Sequence, residues 1–156
     1  MNMSVFLSIG TNQGNLKQNI KRALCKISEF AFIKKISKPY RTKPYGYLNQ
    51  PDFINLAVEV STDLLPLEFL KKCRSVEKEL GRVSTERWGP RIIDIDIIFW
   101  DDRIINENEL VIPHYDMHNR EFVLKPLLDI CPEFVHPVYK KTVSELYAEL
   151  TLKEEK

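Results

Sequence analysis

Residues 87–100 read Arg-Trp-Gly-Pro-Arg-Ile-Ile-Asp-Ile-Asp-Ile-Ile-Phe-Trp. The second half of this stretch is rich in β-branched and aromatic residues and carries a polar residue at alternate positions, which predicts a β-strand. Because successive side chains point to opposite faces of a strand, one face is predicted to be apolar: Ile93, Ile95, Ile97 and Phe99. The opposite face carries Asp94 and Asp96.

These two aspartates have the pattern of a metal site. Two residues of strand rise separate Asp94 from Asp96 by roughly 6–7 Å, and at an effective dielectric of about 20 their repulsion is about 2 kcal/mol. A divalent cation would relieve this repulsion, and carboxylate oxygens are ligands that Mg²⁺ uses together with phosphate oxygens. The alternative is a solvated strand face that carries two acids.

Three arginines precede the strand: Arg82, Arg87 and Arg91. Between the last two, Gly89 and Pro90 predict a stiff turn. Guanidinium groups suit phosphate oxygens because one arginine can donate two hydrogen bonds. Arginines that hold phosphates beside carboxylates that hold Mg²⁺ are a recurring layout in phosphoryl transfer, whereas the alternative is a surface that is merely well solvated.

Length and charge limit the classes of partner. The chain has 156 residues, and Lys plus Arg (23) nearly balance Asp plus Glu (22), giving a net charge of +1. We therefore expect no nucleic acid and no membrane as partner, and no apolar run approaches the roughly 20 residues of a membrane span. Three cysteines without C-x-x-C spacing predict reduced thiols in a cytoplasmic protein. We expect one domain over residues 1–156, frayed over 151–156, and a monomer.

Hydrophobic alternation predicts further strands over residues 3–9, 32–36, 53–61, 104–105 and 110–112. Residues 8–12 are predicted to form a turn. Residues 38–52 contain three prolines and are predicted to form an irregular loop, which in a domain of this size is often functional.

Helical spacing predicts four helices. The first begins after Asn15 and extends to Phe30, and the second is capped by Asp63 and ends at Gly81. Glu77 lies one turn before that end, where the helix dipole disfavours an acid, which suggests a task at the functional site.

The third helix begins at Arg120, and Pro126 should kink it or end its first part. A capping box of Thr142 and Glu145 starts the fourth. Two β-α-β units with antiparallel pairing indicate an α+β sandwich of ferredoxin-like type, with a mainly antiparallel sheet and the helices packed on it.

The motif R-W-G-P-R-x-x-D-x-D resembles that of the 6-hydroxymethyl-7,8-dihydropterin pyrophosphokinase family of folate biosynthesis. The resemblance extends in order along most of the chain. The segments that carry it are residues 8–10 (Ser-Ile-Gly), 40–42 (Tyr-Arg-Thr), 52–55 (Asp-Phe-Ile-Asn), 113–117 (Pro-His-Tyr-Asp-Met) and 119–120 (Asn-Arg). It implies the same fold and transfer of pyrophosphate from ATP to the hydroxymethyl group of a reduced pterin, with release of AMP.

The resemblance also implies roles for individual residues. Asp94 and Asp96 would hold Mg²⁺, two ions being expected, and Arg82 and Arg91 would stabilise charge on the transferred group. The residues implied on the ATP side are Glu77, Arg87 as a phosphate clamp, Trp88, Ile97 at the adenine, His114, Tyr115 and Arg120.

The pterin would lie between the rings of Phe53 and Phe122. Its edge would be read by Thr42, by backbone groups of Pro44 and Tyr45, and by Asn55, whose amide both donates and accepts hydrogen bonds. Trp88 would border this site as well, and closure of residues 43–50 and 82–88 would exclude water.

Three departures from the family pattern stand out: Phe53 where many members have Tyr, Ser84-Thr85 in place of a second basic residue, and Glu109 at a position that is often basic. The general base stays open between a hydroxyl on Mg²⁺ and Asp94. A zinc site is not expected from three scattered histidines, and His114 would instead donate to a phosphate. An RNA-binding sheet and a different Mg²⁺-dependent phosphotransferase remain as alternatives.

Overall fold

The computed structural model describes residues 3–44, 48–81 and 92–154. The strands are β1 (Met3–Thr11), β2 (Phe32–Ile36), β3 (Tyr40–Thr42), β4 (Phe53–Thr62), β5 (Asp94–Trp100), β6 (Ile105–Asn106) and β7 (Val111–Ile112). The helices are α1 (Leu16–Ile27), α2 (Pro66–Glu79), α3 (Glu121–Ile130) and α4 (Val143–Glu154), with a 3₁₀ turn at Met117–Asn119.

The main sheet is antiparallel throughout and has the order β2-β4-β1-β5. Strands β2 and β3 follow one another along the same side of β4, so that they act as one interrupted strand. Helices α1 and α2 connect the strands as crossovers. This arrangement confirms the predicted ferredoxin-like α+β fold.

Two cores lie on the two faces of this sheet. The core beneath α1 and α2 is built from alternate strand residues such as Leu7, Val58 and Ile95, all fully or almost fully buried. The second core joins the other face to α3 and α4 around Phe6 and Phe99. Helices therefore pack on both faces of the sheet, where the sequence had suggested one layer.

The alternation predicted for β5 was wrong at Phe99, which faces the other side of the sheet from Ile97. Its ring packs on the α3–α4 side, against Phe6 at 6.1 Å between centroids, and not beside Ile97. The cause is a bulge, because Leu7 pairs with Ile97 and Phe6 with Phe99, which leaves Ile98 as an extra residue. One extra residue reverses the facing of everything that follows it.

Two predictions about loops were wrong. Strand β1 continues to Thr11, because its neighbours pair with residues 8–11, where a turn over residues 8–12 was expected. Residues 40–42, expected in an irregular loop, form β3, which pairs with Phe53, Ile54 and Asn55 of β4. In both cases pairing between distant strands outweighs local turn propensity.

The ends of the first two helices differ from the predictions. Helix α1 is capped by Asn15, whose side chain accepts the Gln18 N–H at 3.1 Å, but it ends at Ile27 and leaves Phe30 outside. The cap of α2 is Leu65 and not Asp63, since Pro66 opens the helix and the Leu65 N–H donates to Glu68 Oε1.

Helix α2 ends as predicted, with Gly81 in a left-handed conformation (φ +97°) that glycine adopts without strain. Pro126 does not end the third helix, and the fourth helix is longer than expected. Helix α3 continues through Pro126 to Ile130. Helix α4 begins with the predicted box of Thr142 and Glu145 and extends to Glu154, beyond the expected fraying at residue 151.

Among the described residues, no helix combines the length and apolar character needed to cross a bilayer. The three cysteines, Cys25, Cys73 and Cys131, are free thiols, as predicted, and the last two are buried.

Candidate active site

The candidate site lies on the α3–α4 face of the sheet, around Gly10. Strand register sets Gly10 between Asn55 of β4 and Asp94 of β5, and sets Ser8 opposite Asp96. A row of polar groups from three strands therefore shares this face, as alternation had predicted for the two aspartates.

The aspartates repel one another in a partly buried position. Burial, and then the charge of Asp94, raise the pKa of Asp96 to about 7, while Arg74 and Arg120 act in the opposite direction. Binding of a cation between the carboxylates would relieve the repulsion. Carboxylate oxygens are hard ligands that suit Mg²⁺.

Glu77 reaches the same strand from helix α2. Its Oε2 atom accepts the Ile95 N–H at 2.7 Å and lies 2.7 Å from Arg74 Nη1. The carboxylate is 3% exposed, so it is buried against the strand, directly beside the aspartates. The predicted contact of Glu77 with ATP remains a prediction.

Arg74 is a site residue that the sequence did not single out. Burial lowers its pKa, but the carboxylates of Glu77, Asp96 and Asp94 outweigh burial and raise the pKa above its ordinary value. The sequence signal for this residue is an Arg and a Glu three residues apart on α2. Such pairs are common on exposed helix faces, so the spacing alone did not indicate a site.

The segment after β7 supplies three residues of the predicted ATP side. The His114 N–H donates to the carbonyl of Ile98, at the bulge of β5, at 3.0 Å. The imidazole stacks on Tyr115 with 4.9 Å between centroids. Arg120 is buried and donates from Nε to Asp116 at 3.0 Å, and its guanidinium lies 6.0 Å from the centroid of the Tyr115 ring.

His114 is neutral near pH 7. Burial, and then the charge of Arg120, lower its pKa to about 4. Its Nδ1 atom accepts the Asp116 N–H at 3.2 Å, so the proton of the neutral ring belongs on Nε2. This tautomer carries its donor on Nε2, and donation from it to a phosphate remains a prediction.

Ile97 is placed differently from the other predicted ATP residues. Its side chain is 4% exposed and belongs to the core beneath α1 and α2. Ile97 and Ile95 are two residues apart, so their backbone N–H and C=O groups point the same way; those of Ile95 face the outer edge of β5. A contact with adenine would therefore involve the backbone of Ile97.

The predicted pterin residues lie on the opposite side of Gly10. Asn55 Nδ2 donates to Thr42 Oγ1 at 2.5 Å, and Thr42, Pro44 and Phe122 border a cavity of about 380 Å³. The Phe53 ring lies close to Gly10. Stacking of the pterin between Phe53 and Phe122 remains a prediction.

Several predicted site residues lie outside the described residues: Tyr45, Arg82, Arg87, Trp88 and Arg91. The described residues on either side of this segment are Gly81 and Ile92. A Cβ on Gly81 would come within 3.3 Å of Ile92 Cδ1, and the Thr11 hydroxyl donates to the Ile92 carbonyl. Gly81 and Ile92 therefore lie close together, and Ile92 is two residues before Asp94.

Comparison with known proteins places the chain in a family. Residues 6–132 match the family described as 7,8-dihydro-6-hydroxymethylpterin-pyrophosphokinase (HPPK). A relative from Aquifex aeolicus named 2-amino-4-hydroxy-6-hydroxymethyldihydropteridine pyrophosphokinase is 43% identical over 150 residues, covering 96% of this chain and 94% of the relative. A relative of the same name from Haemophilus influenzae is 38% identical and covers 86% of each chain.

Larger proteins contain a similar part. A folic acid synthesis protein of Dictyostelium discoideum is 43% identical over 145 residues, which are 93% of this chain and 22% of that protein. The crystal structure of an HPPK-DHPS in complex with substrates has a TM-score of 0.78 at 17% identity, and wild-type Plasmodium falciparum HPPK-DHPS has 0.77 at 19%. This chain spans 44% and 46% of those two chains, and at such identities they support the fold alone.

The matched region contains most of the described site residues, from Ser8 to Phe122. The resemblance inferred from the sequence is thereby confirmed. The chain belongs to the 7,8-dihydro-6-hydroxymethylpterin-pyrophosphokinase family.

Proposed function

We propose that the chain binds Mg²⁺ through Asp94 and Asp96 while it transfers pyrophosphate from ATP to the hydroxymethyl oxygen of 6-hydroxymethyl-7,8-dihydropterin. Family membership makes it an ATP-dependent pyrophosphokinase of folate biosynthesis. The observation that carries the magnesium assignment is the register of β5, which sets both carboxylates on the face that also carries Asn55.

The donor set favours a hard cation such as Mg²⁺ over zinc. Within residues 3–44, 48–81 and 92–154 there is no cluster of three His, Cys, Asp or Glu side chains of the kind that forms a closed zinc site. Mg²⁺ commonly binds through one or two carboxylates and completes its shell with phosphates and water. Bound there, it would neutralise phosphate charge during the transfer.

The chain's own residues then divide into two groups around Gly10. On the ATP side, Arg120 is a buried cation, and His114 is a neutral donor beside it. Arg82 and Arg91 are proposed to stabilise charge on the group in transit. On the pterin side, Asn55 and its partner on β3 are proposed to bind the heterocycle edge.

The transfer itself is a displacement at phosphorus. The hydroxymethyl oxygen of the pterin forms a bond to the β-phosphorus, and the bond from that phosphorus to the oxygen bridging it to the α-phosphorus breaks. AMP leaves with that oxygen, and the hydroxyl proton is released. Positioning of the two substrates supplies much of the acceleration in such reactions.

The test is release of AMP from Mg²⁺, ATP and 6-hydroxymethyl-7,8-dihydropterin. Asp96→Asn keeps the size of the side chain but removes its charge, so we expect turnover to fall roughly 100-fold or more, since loss of metal stabilisation removes several kcal/mol. Asp102→Asn removes a charge from an exposed acid near the end of the same strand and should keep full turnover. Wild-type turnover by Asp96→Asn over a titration of Mg²⁺ would refute the metal assignment.

The acceptor is tested separately. Replacing the pterin by glycerol or a nucleoside in the same assay distinguishes pterin transfer from a general phosphotransferase. Equal AMP release with these acceptors would refute pterin specificity.

A further inference from the structure

Strand β5 is an edge strand, and the residue between the two aspartates is held from outside the sheet. On one side Ile95 pairs with Ile9 of β1. On the other side, helix α2 supplies both hydrogen-bond partners. Glu77 Oε2 accepts the Ile95 N–H at 2.7 Å, and Arg74 Nη1 donates to the Ile95 carbonyl at 3.0 Å.

The two side chains also bind one another. Arg74 Nη1 lies 2.7 Å from Glu77 Oε2, so the same two atoms serve the ion pair and the strand. A buried carboxylate is strongly destabilising without a cation. Arg74 therefore supplies both a contact to Ile95 and a positive charge that stabilises Glu77 at the strand edge.

These contacts fix the two peptide planes that join the aspartates. The N–H of Ile95 belongs to the peptide unit shared with Asp94, and its carbonyl belongs to the unit shared with Asp96. Because peptide units are planar, a partner on each one limits rotation of the backbone on both sides of Ile95. The directions of the Cα–Cβ bonds of Asp94 and Asp96 depend on these planes, and the carboxylates extend from those bonds.

Attachment of α2 to the sheet does not depend on Arg74. The helix is anchored by Phe69, Cys73 and Val76, which are at most 4% exposed. The Arg74 side chain is 45% exposed. Its removal should therefore leave the helix in place, but it removes the donor to the Ile95 carbonyl and a cation beside Glu77.

We propose that Arg74 is a positioning residue, which acts through Glu77 and the Ile95 backbone to hold Asp94 and Asp96 in the geometry that receives Mg²⁺ and the nucleotide. The proposal rests on the proposed function in one respect, namely that the aspartates bind the metal. Groups that orient metal ligands from behind typically contribute 10–100-fold to metal affinity.

The experiment compares the full chain with Arg74→Ala, Arg74→Lys and Lys72→Ala. Lys72 is exposed on the same helix, so its variant loses one charge without this contact. Hydrogen exchange of the Ile95 amide is measured without ligands, and Mg²⁺-dependent binding of a non-hydrolysable ATP analogue is measured by calorimetry. For Arg74→Ala we expect at least tenfold faster exchange and about tenfold weaker apparent Mg²⁺ affinity. Arg74→Lys should recover part of both, and Lys72→Ala should match the wild type.

The results separate the proposal from the proposed function. Faster exchange in Arg74→Ala with unchanged Mg²⁺ affinity would show a structural clamp and overturn the positioning role. Equal loss of affinity in Lys72→Ala would show a general charge effect and also overturn it. If Arg74→Ala fails to fold, amide exchange and Mg²⁺ affinity are measured on Arg74→Lys instead and test the proposal in the same way. Absence of Mg²⁺-dependent binding in the wild type would instead refute the proposed function.

Discussion

Gly10 offers the sharpest test of the site geometry. It stands at the centre of the polar row, between Asn55 and Asp94, and its lack of a side chain leaves room for the Asn55 amide. A Cβ at this position would lie 2.5 Å from Asn55 Oδ1. We predict that Gly10→Ala displaces Asn55 and weakens pterin binding while nucleotide binding persists.

The size of the effect follows from the same contacts. Ordinary contact begins at 3.4 Å, so Oδ1 must move from 2.5 Å by about 0.9 Å. The amide resists this shift because Nδ2 donates to Thr42 Oγ1 at 2.5 Å. Loss of this hydrogen bond, and of the proposed one to the pterin, should cost about 1–3 kcal/mol, or roughly 5–150-fold in pterin affinity. The Cβ would lie 3.6 Å from Phe53 Cδ1, so the ring itself should stay in place.

The assay is calorimetric titration of a pterin analogue in the presence of Mg²⁺ and a non-hydrolysable ATP analogue. Asn55→Ala supplies the matched background, because without the amide the new methyl group meets no obstacle. Gly10→Ala should then have little further effect, and the double-mutant cycle isolates the interaction. Wild-type pterin affinity of the single Gly10→Ala variant would refute the proposed role of Asn55, as would an equal loss in both backgrounds.

Two further predictions concern stability. His136 is buried, and its Nδ1 accepts the N–H groups of Val138 and Tyr139; burial, and then the charge of His118, lower its pKa to about 4. Since an unfolded histidine titrates near 6.5, the free energy of unfolding should fall as pH drops below that value, by about 2 kcal/mol at pH 5. Urea unfolding of His136→Asn should show a smaller loss. Tyr40→Phe removes the hydroxyl that donates to Asp129 on α3 at 2.9 Å and should lower the free energy of unfolding by about 0.5–1.5 kcal/mol, whereas no change would show that water replaces this contact without cost.

Local sequence patterns predicted those features of the fold that depend on contacts between residues close together in the chain. The capping box of α4 was predicted because Thr142 and Glu145, three residues apart, satisfy one another's backbone N–H groups. The elements that escaped prediction depend on distant partners. Strand β3 forms because its backbone pairs with the edge of β4. The bulge at Ile98 forms because β5 has one residue more than β1 between two successive paired positions.

The candidate site divides in the same way. Alternation predicted that Asp94 and Asp96 share a face, because it needs only one strand. That Asn55 stands across Gly10 from Asp94 depends on the register of three strands, which no local pattern contains. Roles for the ATP and pterin residues came from the family resemblance. Arg74 was missed because its i,i+3 spacing to Glu77 is common on exposed helices, and its other partner, the Ile95 carbonyl, leaves no trace in the sequence.

Strand β5 carries the aspartates at an edge of the sheet, and the edge position explains how distant segments meet there. Its outward backbone groups are open to side chains and loops, which an inner strand would exclude. Ile95 takes partners from α2, and the Ile98 carbonyl accepts the N–H of His114. Just before the strand, the Ile92 carbonyl accepts the hydroxyl of Thr11. Two segments are thus fixed to β5 through its backbone, and Thr11 is fixed to the residue Ile92 just before it, so changes of side chain along β5 leave those attachments intact while altering the chemistry of the open face.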